Sequence, residues 1–139
     1  GMGIQSYRDL EAWQKSIVMI KTCYLLSDQL PKTETYGITS QLRRAAVSVA
    51  ANIAEGRSRN STREFLRFID IAQGSLAETE THLIICQELG YLTLENVEPV
   101  LAMCAEIGRM LNGLINSLRN KLSPDPRPLI PEPLETILE

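Results

Sequence analysis

Apolar positions recur with a helical period in four segments of the chain, and the first covers about residues 7–30. Apolar side chains there return every three or four positions, as they do on one face of an α-helix. The pair Leu30-Pro31 predicts the end of this helix, because a residue before proline is disfavoured in the helical conformation. The predicted buried stripe consists of Leu10, Trp13, Ile17, Ile20 and Tyr24.

The second segment, about residues 38–55, is apolar around most of its circumference. Such a helix is usually buried, so we expect it to contact more than its own chain. Gly56 is predicted to end it in a left-handed conformation. The main apolar face consists of Leu42, Ala46, Val49 and Ile53, a second strip of Val47, Ala50 and Ala54, and the narrow polar side of Arg44, Ser48 and Glu55.

The third segment, about residues 62–89, begins with a predicted capping box. In that motif Ser61 accepts a hydrogen bond from the backbone of Glu64, whose side chain reaches back to the cap. Gly90 is predicted to end the helix. The expected core face consists of Phe65, Ile69, Ala72, Leu76, Leu83 and Cys86.

The fourth segment, about residues 94–122, carries the longest apolar stripe. Pro99 lacks an N–H, so we expect the regular helix to begin late, near Asn96 or Val97, or to kink. The stripe consists of Val97, Val100, Leu101, Cys104, Ile107, Leu111, Ile115, Leu118 and Leu122.

Four amphipathic helices with short connections predict an all-α protein, an antiparallel up-down four-helix bundle over residues 7–122. Residues 1–6 are interpreted as a scar of tag removal, Gly1 and Met2, followed by a lead-in. Residues 123–139 hold five of the seven prolines. We expect this tail to be extended or disordered.

Cysteine usage and hydropathy suggest a compartment. Cys23, Cys86 and Cys104 are an odd number at wide spacing, which fits neither a disulfide framework nor a zinc site. We interpret them as reduced core residues. No apolar run reaches the ~18–20 residues that span a bilayer, and no signal peptide is recognisable. The expected location is cytoplasmic, with no membrane partner.

Positive charge is concentrated between Gly37 and Arg67. This segment holds six arginines and two acids, for a net charge of +4, while the whole chain carries −3, which leaves −7 for the remainder. A basic surface on an acidic protein is a typical electrostatic footprint for phosphate. The candidate nucleic-acid-binding residues are Arg43, Arg44, Arg57, Arg59, Arg63 and Arg67.

Two interpretations of these arginines remain open. In the first, they bind phosphates, and Arg57, Arg59 and Arg63 are the preferred contacts because they flank a loop and a helix N-terminus, which itself accepts anions. In the second, they pair with nearby acids or with a neighbouring subunit, as interface arginines often do.

The remaining polar residues predict no catalysis, metal or cofactor. His82 is the only histidine, and Glu78 lies one helical turn before it, which is a common surface pair and a poor metal site. A di-iron motif requires a glutamate at position 79, which is threonine. Trp13 and Tyr24 are interpreted as packing residues rather than platforms for bases. The sequence therefore predicts a protein that is not an enzyme.

Several motifs together resemble one family: YRDLEAWQK at 7–15, YGITSQLRRAAVS at 36–48, NIAEG at 52–56, EFLRF at 64–68 and GSLAETET at 74–81. The chain resembles the four-helix bundle proteins first named for reading frames in intervening sequences of bacterial 23S ribosomal RNA genes. The resemblance implies an antiparallel bundle that assembles as a homopentamer with a central channel. Ala50 departs from the proline that many relatives carry there, which should remove a kink.

The resemblance also implies possible partners. One branch of the family serves as the accessory protein of diversity-generating retroelements and binds nucleic acid and a reverse transcriptase through basic surfaces. Two functions are therefore expected. The first is a non-enzymatic nucleic-acid-binding or ribonucleoprotein accessory protein, with RNA, DNA, a reverse transcriptase or another protein as partner. The second is a structural or protein-interaction homo-oligomer without nucleic-acid affinity, with the arginines in subunit interfaces.

Overall fold

Residues 6–122 of the chain, described by a computed structural model, form four α-helices and no strand. The predicted all-α class with four helices is therefore confirmed. The predicted proline-rich tail, and all but the last residue of the predicted lead-in, lie outside the described residues. Short 3-10 helices occur at Tyr7–Asp9 and Lys32–Glu34, and the α-helices are α1 (Glu11–Ser27), α2 (Ile38–Arg57), α3 (Thr62–Glu88) and α4 (Leu94–Leu122).

The buried side of α1 differs from the predicted stripe. Of the five predicted residues only Leu10 is buried, and Tyr24 is exposed. A polar residue explains the error: Ser16 is fully buried and donates a 2.6 Å hydrogen bond to the carbonyl of Ala12. Its hydroxyl is satisfied within the helix, so a serine can face the core. The helix turns the following side toward the core: Ala12, Ser16, Met19, Cys23, Leu26 and Ser27.

The main face of α2 is buried as predicted, with Leu42, Ala46, Val49 and Ile53 each at 0% exposure. The second strip is divided, because Ala50 is buried, Ala54 is half-buried and Val47 is exposed. Contacts within this chain therefore bury only part of the apolar circumference of α2.

Gly56 does not end α2 in a left-handed conformation, so that prediction is wrong. It lies inside the helix and is buried, and the helix continues to Arg57 with Ser58 as its cap. A Cβ at this position would lie 2.7 Å from the Cβ of Phe68 in α3. The glycine is required by the close approach of α2 and α3.

The end of α3 follows the prediction, and its start follows it in part. The Ser61 hydroxyl accepts a hydrogen bond from the amide of Glu64 at 3.1 Å. The Glu64 carboxylate pairs with Arg67 rather than completing the box. At the other end Gly90 has a φ of +77°, and the amide of Tyr91 donates to the carbonyl of Cys86 at 2.9 Å. These bonds satisfy helix-end groups that would otherwise be unpaired.

We expect Ser61→Ala to lower the free energy of unfolding by about 1 kcal/mol, because the amide of Glu64 loses its acceptor. Urea denaturation of both proteins measures the difference. Ser117→Ala is the control, since Ser117 is exposed within α4 and alanine there is neutral or slightly favourable. Equal stabilities of the two variants would show that the cap contributes nothing.

Helix α4 begins at Leu94, so the expected late start is wrong. Thr93 explains the difference, because its hydroxyl accepts a hydrogen bond from the amide of Asn96 at 3.2 Å and stabilises the first turn. Pro99 lies inside the helix on an exposed position, where water can reach the carbonyl that proline leaves unpaired. The predicted stripe is buried except for Leu101 and Leu122, which are half-buried.

All three cysteines are buried and free. Burial raises the pKa of Cys23 to about 12 and that of Cys104 to about 12, and it also raises the pKa of Cys86. The reactive thiolate is therefore scarce at neutral pH, as expected for core residues.

We expect the three thiols of the folded protein at pH 8 to react with a disulfide reagent at least about tenfold more slowly than in denaturant. The rate of thiol release, followed by absorbance, checks this. Ser117→Cys adds an exposed thiol as an internal standard for the folded state. Three native thiols that react as quickly as that standard would contradict the buried, neutral assignment.

Candidate nucleic-acid interface

The six predicted arginines do not form one surface. Arg43 and Arg44 lie in the second turn of α2, whereas Arg57 is its last residue. At 1.5 Å of rise per residue, the two positions are about 21 Å apart along the helix. The structure brings Arg57 and Arg59 into one cleft, with Arg63 and Arg67 on the following helix, and leaves Arg43 and Arg44 elsewhere.

Arg43 connects α2 to the end of α1. Its Nε donates to the Ser27 hydroxyl at 2.8 Å, and its terminal nitrogen pairs with Asp28 at 3.1 Å. Its guanidinium carbon also lies 4.7 Å from the centre of the Tyr24 ring. These three contacts give Arg43 a structural role within the chain.

Arg44 lies beside a polar cleft between α2 and α3. The cleft has a volume of about 350 Å³, and its other lining residues are Gln41, Ala45, Ser48, Ser75, Glu78 and His82. Glu78 places a negative charge in the same cleft. Glu78 and His82 both line this cleft, as expected for residues that the sequence places one helical turn apart.

A second cleft lies where α2 ends, α3 begins and α4 ends. It has a volume of about 500 Å³, and we call it the basic cleft. Its charged lining residues are all cationic, and hydroxyl or amide groups line it beside them. Its apolar lining residues are buried or half-buried, less exposed than Arg59 and Lys121, and we call them the floor. The members are the cations Arg57, Arg59 and Lys121, the polar residues Asn60, Ser61, Thr62 and Ser117, and the apolar residues Leu10, Phe65, Leu114 and Leu118.

Arg59 and Arg67 both lie over the ring of Phe68. Their guanidinium carbons are 5.0 Å and 4.6 Å from its centre. Arg59 pairs with Glu55 at 2.8 Å and Arg67 pairs with Glu64 at 3.2 Å, and all four side chains are at least 45% exposed. Exposed pairs of this kind contribute about 0–1 kcal/mol each. Because these pairs are weak, a phosphate group can displace the carboxylate from either guanidinium group.

Arg63 adds charge to the N-terminus of α3. It lies in the first turn, is exposed and forms no ion pair within residues 6–122. The first backbone amides of an α-helix have no partner inside the helix, and its N-terminus carries a partial positive charge. In α3 the Ser61 hydroxyl takes the amide of Glu64, which leaves the amides of Thr62 and Arg63. The side chain, the amides and the dipole thus all favour an anion at this position.

Lys121 was missed by sequence reasoning. It lies in the last turn of α4 and lines the basic cleft beside the first turn of α3. The available signal was the pair of cations, Arg119 and Lys121, at the predicted end of the fourth helix. What the sequence did not show is that Lys121 approaches the start of α3.

Helix α1 presents apolar side chains to the surface. Val18 is 48% exposed, Tyr24 40% and Leu25 69%. Ile20, Tyr24 and Leu25 line a shallow groove together with Lys21 and Asp28. Clustered exposed apolar residues are typical of interaction surfaces. Within the described part of the chain, no helix is both long and apolar enough to cross a membrane.

Comparisons with known proteins identify the relatives of this fold. A solved protein of unknown function from the S23 ribosomal protein family of Bacteroides thetaiotaomicron VPI-5482 is similar, with a TM-score of 0.70 and 26% sequence identity. The match covers 75% of this chain and 97% of that one. No curated protein matches this chain. The family model for the 23S rRNA-intervening sequence protein matches residues 8–113, and the chain therefore belongs to that family.

Proposed function

We propose that this protein binds nucleic-acid phosphates through the basic cleft and the first turn of α3, and that it is not an enzyme. The observation that carries the proposal is the lining of the cleft. Arg57, Arg59 and Lys121 are its charged members, and the first amides of α3, those of Thr62 and Arg63 ahead of the capped amide of Glu64, lie at the same end of the helix. Phosphate groups favour both features together.

The chemistry of the site supports binding without sequence readout. Arginine forks and helix amides donate to phosphate oxygens, which are the same for every base. Phe68 is buried beneath Arg59 and Arg67, so its ring is not a platform on which a base can stack. We therefore expect affinity for structured RNA and for DNA duplex alike, as an accessory subunit of a ribonucleoprotein rather than as a sequence-specific reader.

The same proposal includes the assembly. We infer that the four helices run antiparallel and that the chain forms a homopentamer in the bacterial cytoplasm. The exposed apolar residues of α1 and Val47 of α2 support contact between copies. Repeated basic clefts would strengthen binding through multivalency, without any new contact. A reverse transcriptase or another protein that handles nucleic acid fits as a further partner.

A second function is favoured by a specific observation. Arg43 is engaged inside the chain, and the exposed side chains of α1 are apolar rather than basic. These two features are sufficient for a structural homo-oligomer that has no affinity for nucleic acid. The basic cleft separates the two functions, because subunit contact through α1 does not require it.

The deciding experiment is titration of a labelled structured RNA and of a DNA duplex across a salt series, with the oligomer mass recorded in the same buffers. For four phosphate contacts per chain, the logarithm of the DNA association constant should fall with that of salt concentration with a slope of about −3 to −4. Absence of binding at low salt by an intact oligomer would reject the proposal and favour the structural function.

A further inference from the structure

The basic cleft has a second property that phosphate binding does not explain. Its floor consists of Leu10, Phe65, Leu114 and Leu118, which line the cleft together with the three cations. Phosphates and sugars gain little from an aliphatic and aromatic floor. A peptide that carries both apolar and acidic side chains complements both parts of the lining, because it buries apolar area while its carboxylates meet the cations.

This chain carries such a peptide next to the cleft. The described structure ends at Leu122, one residue after Lys121, which lines the cleft. The following 17 residues, SPDPRPLIPEPLETILE, contain four acids and one arginine, for a net charge of −3. Apolar residues separate the acids. Both halves of the lining, cationic rim and apolar floor, thus have a counterpart in the segment 123–139.

The connection is long enough. A proline-rich chain in extended form advances about 3.1 Å per residue, so 17 residues reach about 50 Å. A helix with its side chains is only about 10 Å across. Because the segment is covalently attached beside the cleft, its effective concentration there is high, on the order of millimolar for a short link.

We propose that the C-terminal segment 123–139 of the same chain occupies the basic cleft and competes there with nucleic acid. Occupancy is a property of the chain itself, and only the competition rests on the proposed function. The acids Asp125, Glu132, Glu135 and Glu139 replace phosphates at the cations. Apolar residues of the segment, with Leu129 and Ile130 the first pair, cover the floor.

Hydrogen–deuterium exchange of the full chain without nucleic acid tests the occupancy. The variant D125N/E132Q/E135Q/E139Q removes the four acids of the segment. Backbone amides of residues 57–65 should then exchange roughly tenfold faster, because the cleft opens to solvent. The matched control D70N/E88Q/E95Q/E98Q removes the same residue types from exposed positions outside the cleft and should leave that exchange unchanged.

A second variant separates docking from simple charge. L129S/I130S keeps the net charge and should accelerate exchange of the same amides. Unchanged exchange at residues 57–65 in both segment variants would overturn the proposal. Protection that disappears on dilution of the full chain would also overturn it, in favour of a segment from a second copy.

Affinity measurements in the same proteins separate this inference from the proposed function. Both segment variants should bind a DNA duplex about tenfold more tightly than the full natural chain at low salt, since a competitor has been weakened. Faster exchange with unchanged, measurable affinity would overturn the competition. Faster exchange with no nucleic-acid binding by any variant would confirm the docking and reject nucleic acid as the ligand of the cleft.

Discussion

Replacement of Arg57, Arg59 and Arg63 with alanine is expected to weaken nucleic-acid binding by roughly 100-fold at about 0.1 M salt. Two of these arginines line the basic cleft and the third lies in the first turn of α3. Each lost phosphate contact should reduce the steepness of the DNA salt dependence by about 0.9. The measurement is fluorescence anisotropy of a labelled duplex and a labelled structured RNA across a salt series.

The matched control removes the same charge from other surfaces. Lys21, Lys32 and Arg109 are exposed, and none of them lines the basic cleft. The triple alanine variant of these residues should retain affinity within about threefold, since distant charges are screened. Equal losses in both triple variants would show that only net charge matters and that the cleft is not the site.

A single charge reversal guards against damage to the fold. Arg63 is exposed, and glutamate in the first turn of a helix is favoured by the dipole, so Arg63→Glu should not reduce stability. It should nevertheless lower the affinity by about tenfold. A stable Arg63→Glu protein with unchanged affinity would remove the start of α3 from the site.

The largest expected effect on stability belongs to Gly56. A Cβ there would lie 2.7 Å from the Phe68 Cβ, 3.1 Å from Cδ1 of Phe65 and 3.2 Å from the carbonyl oxygen of Phe65. Two of these neighbours are a Cβ and a backbone atom, which cannot move aside as a flexible side-chain tip does. Gly56→Val should therefore lower the free energy of unfolding by about 3 kcal/mol, as measured by urea denaturation.

Substitution of Gly74 or Gly113 should stabilise the protein, in contrast to substitution of Gly56. Each lies inside a helix and is exposed, and a Cβ at either position meets no atom within 4 Å. Gly74→Ala and Gly113→Ala should raise the free energy of unfolding by about 0.5–1 kcal/mol each, because alanine favours helix over glycine. If Gly56→Val also proved neutral, α2 and α3 would not be in close contact through Gly56.

Repeated apolar spacing predicted the helices well because most core residues of α2, α3 and α4 are apolar, although α3 also buries Ser75 and Thr79. The prediction failed for α1, where Ser16 faces the core and satisfies its own hydroxyl, so polarity no longer marked the exposed side. It failed at Gly56 for a related reason. Glycine near a helix end is usually a stop signal, and only the position of Phe68 on another helix makes it a contact residue.

The candidate site was predicted in part. The arginines around the connection between α2 and α3 were recognised from local charge. By contrast, contacts between distant segments place Arg43 away from this connection and bring Lys121 to it. Arg43 faces Ser27 and Asp28, sixteen and fifteen residues away, and Lys121 shares its cleft with Arg57. Charge along a sequence does not contain that information.

Gly56, Phe68, Arg59 and Arg67 form a linked set. The missing side chain of Gly56 lets Phe68 approach α2, and the Phe68 ring in turn lies beneath both guanidinium groups. The support beneath two surface cations thus depends on a side chain that is absent inside the protein. These four positions should therefore evolve together: every residue except glycine carries the Cβ that clashes, so a relative with a larger residue in place of Gly56 needs a wider separation of α2 and α3, and its arginines then lose their common support.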